Sequence, residues 1–315
     1  MFPVPSSIFS SNRSIIFPLR VAVTALVIIF GYGLFVGVMH PDAVISYDSG
    51  LRNRIVAEQY ADQPVKKAVL VGSSLGARLT SDVTGGSYLD PDIFDLAMLG
   101  QNSATGLDVV LRKIEKPHII LVEMNILEHP YDPNFGGEVY EEPWRLLRRM
   151  LPVFRLENRP FDLGIVALEK TLKFGLTRAG LHSVESVYSP QSQGAERDKS
   201  PTQNLLGSKL GEIFLKNVDI ALNRLGEEIE LLRSQNIKVI LLRFPVDPSF
   251  DATPQERYKR DKAYERFPQN EYRWYDLSST GTYQTMDGQH LTSASARDLA
   301  VVLRKIVDTN AEPDG

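Results

Sequence analysis

Residues 21–39, VAVTALVIIFGYGLFVGVM, carry no charge and, apart from Thr24, no strongly polar side chain. At 1.5 Å of rise per residue the run makes a helix of ~28 Å, close to the hydrocarbon thickness of a bilayer. A helix of that length without a polar face does not suit the core of a soluble domain. A cleavable signal peptide is the closer rival, but its apolar region normally spans about 7–15 residues and ends at a small-x-small site. Here the run leads into Val38-Met39-His40-Pro41, which offers no such site. The segment therefore reads as an uncleaved transmembrane anchor. Arg20 is the basic residue nearest to it, with Arg13 before, while Arg52 and Arg54 lie farther off on the other side among Asp42 and Asp48. The positive-inside rule then puts residues 1–20 in the cytoplasm and the C-terminal bulk outside it, in a periplasm or at a cell surface. Gly33 and Gly37 form a GxxxG spacing, but glycine is common in membrane helices and no pairing is read from it.

The chain beyond the anchor must fold outside the bilayer. The protein has 315 residues, 43% hydrophobic and 23% charged, enough apolar material for a substantial core. Lys+Arg number 35 against 39 Asp+Glu, a formal charge of -4. A nucleic-acid binder would show a basic surplus, so that class is set aside. There is no cysteine, which excludes disulfide scaffolds, thiolate metal sites and thiol nucleophiles.

Residues 40–64 read as a polar linker and 65–310 as one domain. Strand-sized apolar runs recur at Lys67–Gly72, Ile93–Leu99, His118–Met124 and Lys238–Leu242. Between and after them, Gly106–Ile114, Val218–Leu232 and Ser293–Val307 carry apolar residues at helical spacing. Alternation of this kind predicts an α/β fold, a parallel sheet sandwiched between helices, with working groups at the carboxyl edge of the strands. An insertion from about 128 to 210 interrupts the pattern. Trp144–Leu151 and Phe161–Leu176 within it look helical, and Ser186–Pro201 is polar and Pro/Ser-rich, a lid, a partner surface or a mobile stretch.

Two short stretches carry the chemistry. Val71-Gly72-Ser73-Ser74-Leu75-Gly76 ends the first strand and would expose a hydroxyl where backbone N–H groups also point, a geometry suited to a nucleophilic serine. A helix cap or a phosphate-cradling turn would use the same residues. Asp287-Gly288-Gln289-His290 places an acid three residues before an imidazole, so that the carboxylate can hold Nδ1–H and leave Nε2 free as a base. Of the five histidines, only His290 has such a neighbour within a defined turn followed by a helix start. Gly100 and Asn125 follow the second and third strands. A backbone N–H and a side-chain amide are donor types that stabilise an oxyanion, and either residue alone would equally form a turn.

Taken in chain order, Gly-x-Ser after strand one, Gly100 after strand two, Asn125 after strand three and Asp287-x-x-His290 before the last helix resemble the blocks of the SGNH (GDSL-like) hydrolase superfamily. The resemblance covers roughly residues 65–307. It implies a flavodoxin-like three-layer fold, with Ser74 as nucleophile and His290 and Asp287 as base and acid. The oxyanion donors would be Gly100, Asn125 and the N–H of Ser74. Ser73 stands where the family usually has Asp, Asp95 and Ala97 replace its Asn and Gly, and Glu123-Met124-Asn125-Ile126 lacks the frequent Gly-x-Asn-Asp. The Gly-Ser-Ser form looks more like membrane-anchored branches linked to acylation of envelope polymers, among them the D-alanylation protein of teichoic acid synthesis and the alginate O-acetylation proteins.

The resemblance thus implies a serine esterase or O-acyltransferase with no cofactor, acting on an acylated glycan or envelope polymer, with a membrane-bound acyltransferase as partner. A different class of function keeps the fold without catalysis: an anchored protein that binds glycan or that partner, using the Trp144-Arg145-Leu146-Leu147-Arg148-Arg149 face. The same segment also reads as a helix packed on its own domain. The two functions separate on one distance, that between Ser74 Oγ and His290 Nε2. No metal is expected, because no two His, Asp or Glu residues share a zinc spacing. Arg78, one turn beyond Ser74, could hold an anionic substrate group or serve an internal ion pair. Pro245 and Asp247 follow the last of these strands and lie at the same sheet edge.

Overall fold

The computed structural model describes residues 13–39, 49–79, 87–143, 145–151, 154–156 and 210–311. Its first element is helix α1, Arg13–Met39, within which Phe17–Phe35 has a mean hydropathy of 1.8 and no buried residue. Among the described residues it is the one helix long and apolar enough to cross a membrane.

Five strands come after it: β1 (Ala68–Gly72), β2 (Ile93–Ala97), β3 (Ile119–Glu123), β4 (Lys238–Arg243) and β5 (Arg273–Asp276). They form one sheet in the order β2-β1-β3-β4-β5, and every pair is parallel. β1 and β3 are buried along their whole length, as an interior parallel strand must be when helices cover both faces. Side chains alternate between those faces. Val69, Val71, Ile120, Val122 and Leu241 enter one core. Ala68, Leu70, Ile119, Leu121, Ile240 and Leu242 enter the other.

The first core is closed by α2 (Ser49–Asp62), α3 (Ser103–Arg112) and α6 (Glu212–Ser234) through Ala57, Tyr60, Leu107, Val110, Leu222, Leu225 and Ile229. The second is closed by α9 (Ser293–Asn310) through Ala296, Leu299, Leu303 and Ile306. Helix starts are written locally: Asn102 accepts from Ala104 N–H at 3.0 Å to cap α3, and Thr292 accepts from Ser295 N–H to cap α9. The α/β expectation holds in this form, a five-stranded parallel sheet flanked by helices.

Two stretches differ from the sequence reading. Residues 49–62, read as part of a linker, are helix α2, with Asn53, Ile55, Ala57, Glu58 and Tyr60 buried against the domain. Its buried face mixes amide and carboxylate with apolar groups, which hides the helical stripe. β5, a four-residue edge strand with two aromatic residues, has too short an apolar run to register as a strand.

Of the insertion, α4 (Phe135–Glu141) and α5 (Arg145–Met150) are described; Trp144, Phe161–Leu176 and Ser186–Pro201 lie outside the described residues. Arg145 and Arg148 turn inward. Arg145 pairs with Asp62 at 2.9 Å, and Arg148 bridges Glu58 at 2.8 Å and Glu142 at 2.7 Å. Between β4 and β5 lie α7 (Pro248–Asp251) and α8 (Pro254–Arg266), each opened by a capping Asp247 or Thr253 and a proline in the first turn.

Candidate active site

Register aligns the carboxyl ends of all five strands: Gly72 beside Ala97, and Glu123 beside Leu242, with Arg243 beside Asp276. The chain leaving β1 turns at once into a short 3-10 helix, Gly76–Leu79, and Ser73 and Ser74 occupy that turn. Ser73 is fully buried and Ser74 half-buried. Ser74 Oγ lies 3.0 Å from Nε2 of His290, which is 216 positions away in the chain.

His290 sits in a closed turn ahead of α9. Met286 N–H donates to His290 O at 2.8 Å, Thr292 N–H donates to Gln284 O at 3.0 Å, and Thr285 bridges Leu291. Inside that turn, Asp287 Oδ2 is 2.6 Å from His290 Nδ1, while its Oδ1 accepts the backbone N–H groups of His290 at 2.8 Å and Gln289 at 3.0 Å. Burial opposes ionisation of Asp287, but these three donors outweigh it and hold the carboxyl well below the usual carboxylate range. An ionised Asp287 keeps the ring proton on Nδ1. Nε2 is thereby left as the acceptor facing the Ser74 hydroxyl. The turn is also tied to the segment after β4: Asp247 N–H donates to Gly288 O at 2.8 Å.

The oxyanion-donor candidates stand at the ends of β1, β2 and β3. The N–H of Ser74 takes no partner among the described residues, nor does that of Gly100. Gly100 has φ +71°, the left-handed region where a side chain is strained, so glycine is required by backbone conformation rather than by space. The loop carrying it is fixed from α2: Asn53 Oδ1 accepts Leu99 N–H at 2.7 Å and Asn53 Nδ2 donates to Leu99 O at 2.9 Å. Asn125 is partly committed. Its Oδ1 accepts Phe244 N–H at 2.7 Å and its Nδ2 donates to Phe244 O at 3.0 Å, leaving one amide hydrogen without a partner among the described residues.

Ser73 has a different surrounding from its neighbour. Its N–H and its Oγ–H each donate to Glu123 Oε2 at 2.7 Å, and its Oγ accepts Leu75 N–H at 3.2 Å. Glu123, with 1% exposure, is a buried carboxyl group directly beneath the turn. Burial pushes it up, against the donors supplied by Ser73, Ile126 and Gly76. Glu123 and Asn53 both belong to the site's support, and sequence reasoning assigned neither of them a part in it.

Arg78 lies half-buried in the 3-10 helix and is already engaged in an interaction of its own. A shallow pocket that borders Asn125 has no room for a substrate, and its basic residues are also taken. Lys259 pairs with Glu128 and Glu256, and Arg243 with Asp251 and Asp276. No group of three or more His, Asp or Glu side chains suited to a metal ion occurs among the described residues. The arrangement can lower the cost of deprotonating one hydroxyl, that of Ser74, with three hydrogen-bond donors available at the same sheet edge. Neither the family models nor the curated proteins compared with this chain match it.

Proposed function

We propose that the chain is a membrane-anchored serine esterase or O-acyltransferase of the SGNH type that acts on acylated envelope glycan or polymer through an acyl-serine. The observation that carries this reading is the hydrogen-bonded series Ser74 Oγ, His290 Nε2, His290 Nδ1, Asp287 Oδ2, with separations of 3.0 and 2.6 Å across the two contacts. The sheet order and the positions of Ser74, Gly100 and Asn125 at successive strand ends support the same assignment.

In the first half-reaction His290 Nε2 takes the Ser74 proton as Oγ attacks the ester carbonyl. The oxyanion forms against the N–H of Ser74, with Gly100 and Asn125 as the other donors. Collapse breaks the ester C–O bond, and the leaving alcohol takes the proton back from Nε2. In the second half-reaction a water or a sugar hydroxyl gives its proton to Nε2 and attacks the acyl carbon; collapse breaks the bond from the acyl carbon to Oγ, and Ser74 takes the proton back from Nε2. Water makes the protein an esterase, and a sugar hydroxyl makes it a transferase. Asp287 stays ionised throughout and stabilises the imidazolium.

The helix Phe17–Phe35, apolar enough to span a bilayer, supports a single-pass anchor, and Arg20 near its start favours a cytoplasmic N-terminus with the catalytic domain on the opposite side. Such a placement suits acyl chemistry on surface glycans, with a membrane-bound acyltransferase as the donor-side partner. The test is to incubate the full chain with an activated acetyl ester, quench early and map the adduct by peptide mass. Acetyl on Ser74 is the expected result. Turnover that persists in Ser74→Ala would remove the assignment.

A further inference from the structure

We infer that Glu123 is a positioning residue that, together with Ser73, holds the turn in which Ser74 faces His290; the inference rests on the reading of Ser74 as nucleophile. A carboxyl group taken fully out of water is costly and persists only where donors surround it. Glu123 has them. Oε2 receives both the N–H and the Oγ–H of Ser73 at 2.7 Å, and the backbone N–H groups of Gly76 and Ile126 complete the set. Four donors surround the carboxyl, so the group acts as an acceptor. Burial by itself pushes its proton affinity up, and these four bonds work against that.

What the carboxyl gathers is the turn itself. Ser73 and Gly76 bond it directly, and Leu75 is joined through Ser73 Oγ at 3.2 Å. Of the four consecutive N–H groups from 73 to 76, only that of Ser74 takes no partner among the described residues. That N–H remains for an oxyanion, while the Ser74 hydroxyl meets His290 instead of the carboxyl that binds its neighbour. Gly72 belongs to the same device. A Cβ at that position would stand 3.0 Å from Glu123 Oε2, so the absence of a side chain admits the carboxyl beneath the strand end. An apolar residue at 123 would fill the space, but it could not collect these N–H groups.

The test compares wild type with Glu123→Gln, Ser73→Ala and Ser74→Ala in the full chain. Three quantities are read: the rate at which a fluorophosphonate attaches to Ser74 with loss of fluoride, kcat and KM on an activated acetyl ester, and the melting temperature. Glu123→Gln turns an NH2 toward backbone N–H groups and should shift the turn. Labelling and kcat are expected to fall roughly ten- to hundred-fold at unchanged KM, the scale of loss from a small misplacement of a reacting atom. Ser73→Ala keeps the carboxyl and removes one donor, so a smaller fall of the same kind is expected; it carries the test if Glu123→Gln does not fold. Wild-type labelling and kcat in the folded variants would overturn the inference while leaving Ser74 as nucleophile. A loss that merely tracks the unfolded fraction would overturn it equally. Failure of wild type to label at Ser74 would instead overturn the nucleophile assignment, and this inference with it.

Discussion

Ser73 and Ser74 are neighbours in the chain but belong to different hydrogen-bond systems. Ser73 Oγ donates to the buried carboxyl of Glu123 at 2.7 Å, and Ser74 Oγ meets His290 Nε2 at 3.0 Å. One hydroxyl is engaged by the carboxyl beneath the turn, and the other faces the imidazole. This division is what the proposed assignment of Ser74, rather than Ser73, as nucleophile requires.

Replacing each serine separately should therefore give different phenotypes. Ser74→Ala is expected to eliminate covalent adduct formation and to lower ester turnover by roughly 10³-fold or more. Ser73→Ala should retain an adduct at position 74, formed more slowly. Intact-mass spectrometry after brief exposure to an acetyl ester reads both outcomes.

Asp287→Asn should lower kcat by roughly 10²- to 10⁴-fold with little change in fold, because the amide no longer stabilises the ring as it takes the serine proton. The same substitution bears on acid stability. The depressed proton affinity of Asp287 contributes stability that is present above about pH 4, its ordinary range, and is lost as the pH falls through the lower folded value. Wild type should lose stability over that acid interval more steeply than Asp287→Asn in melts followed by circular dichroism.

Glu228 on α6 predicts the opposite slope. Burial pushes its carboxyl up to about 8, with nearby Arg224 pulling it down and Asp108 pushing it further up. A folded value raised above the unfolded one gives stability that is full below about pH 4.5 and declines as the pH rises to 8. The decline should be on the order of 3–5 kcal/mol across that window. Glu228→Gln should flatten it. Parallel curves for the two proteins in melts from pH 5 to 8.5 would show that Glu228 does not titrate there.

Asn53 joins α2 to the loop that presents Gly100. Asn53→Ala leaves the part-buried N–H and C=O of Leu99 without their partners, at a cost of about 1 kcal/mol per lost bond. Melting temperature should fall, and kcat should drop about tenfold through loss of order at the Gly100 donor. Unchanged kcat in the folded variant would separate Gly100 from the oxyanion.

Removing the anchor tests its role directly. The full chain should stay with the membrane pellet through alkaline carbonate washing. A chain starting at Ser49 should remain in the supernatant with the same kcat on a soluble ester, because α2 and everything packed on it are retained.

The sheet was largely legible because four of its strands are short apolar runs separated by helix-period stretches, and interior parallel strands have no polar face to obscure them. β5 was not legible, since an edge strand of Arg, Trp, Tyr and Asp carries no such run. For the site, an acid three residues from a histidine is a local pattern, and the Ser-Ser turn at a strand end is another. Their meeting across 216 positions stems from the parallel topology, which brings all strand exits to one edge. Glu123 and Asn53 left no trace of this kind. Each bonds backbone groups of a distant segment, and a polar residue that serves another segment's main chain has no sequence spacing that marks it. Asn53 was hidden further by lying in a stretch read as linker, where its helix shows no clean apolar stripe.

The shortness of the stretch between α1 and α2 has its own consequence. α1 ends at Met39 and α2 begins at Ser49, and the residues between them can reach no farther than ~35 Å even when fully extended. With α1 in a bilayer, the serine pocket is confined to a thin shell above the lipid surface. On the reading proposed for the site, only acyl groups carried within that shell would come within reach of Ser74. Selection among candidate substrates would then rest first on how near the membrane each is displayed.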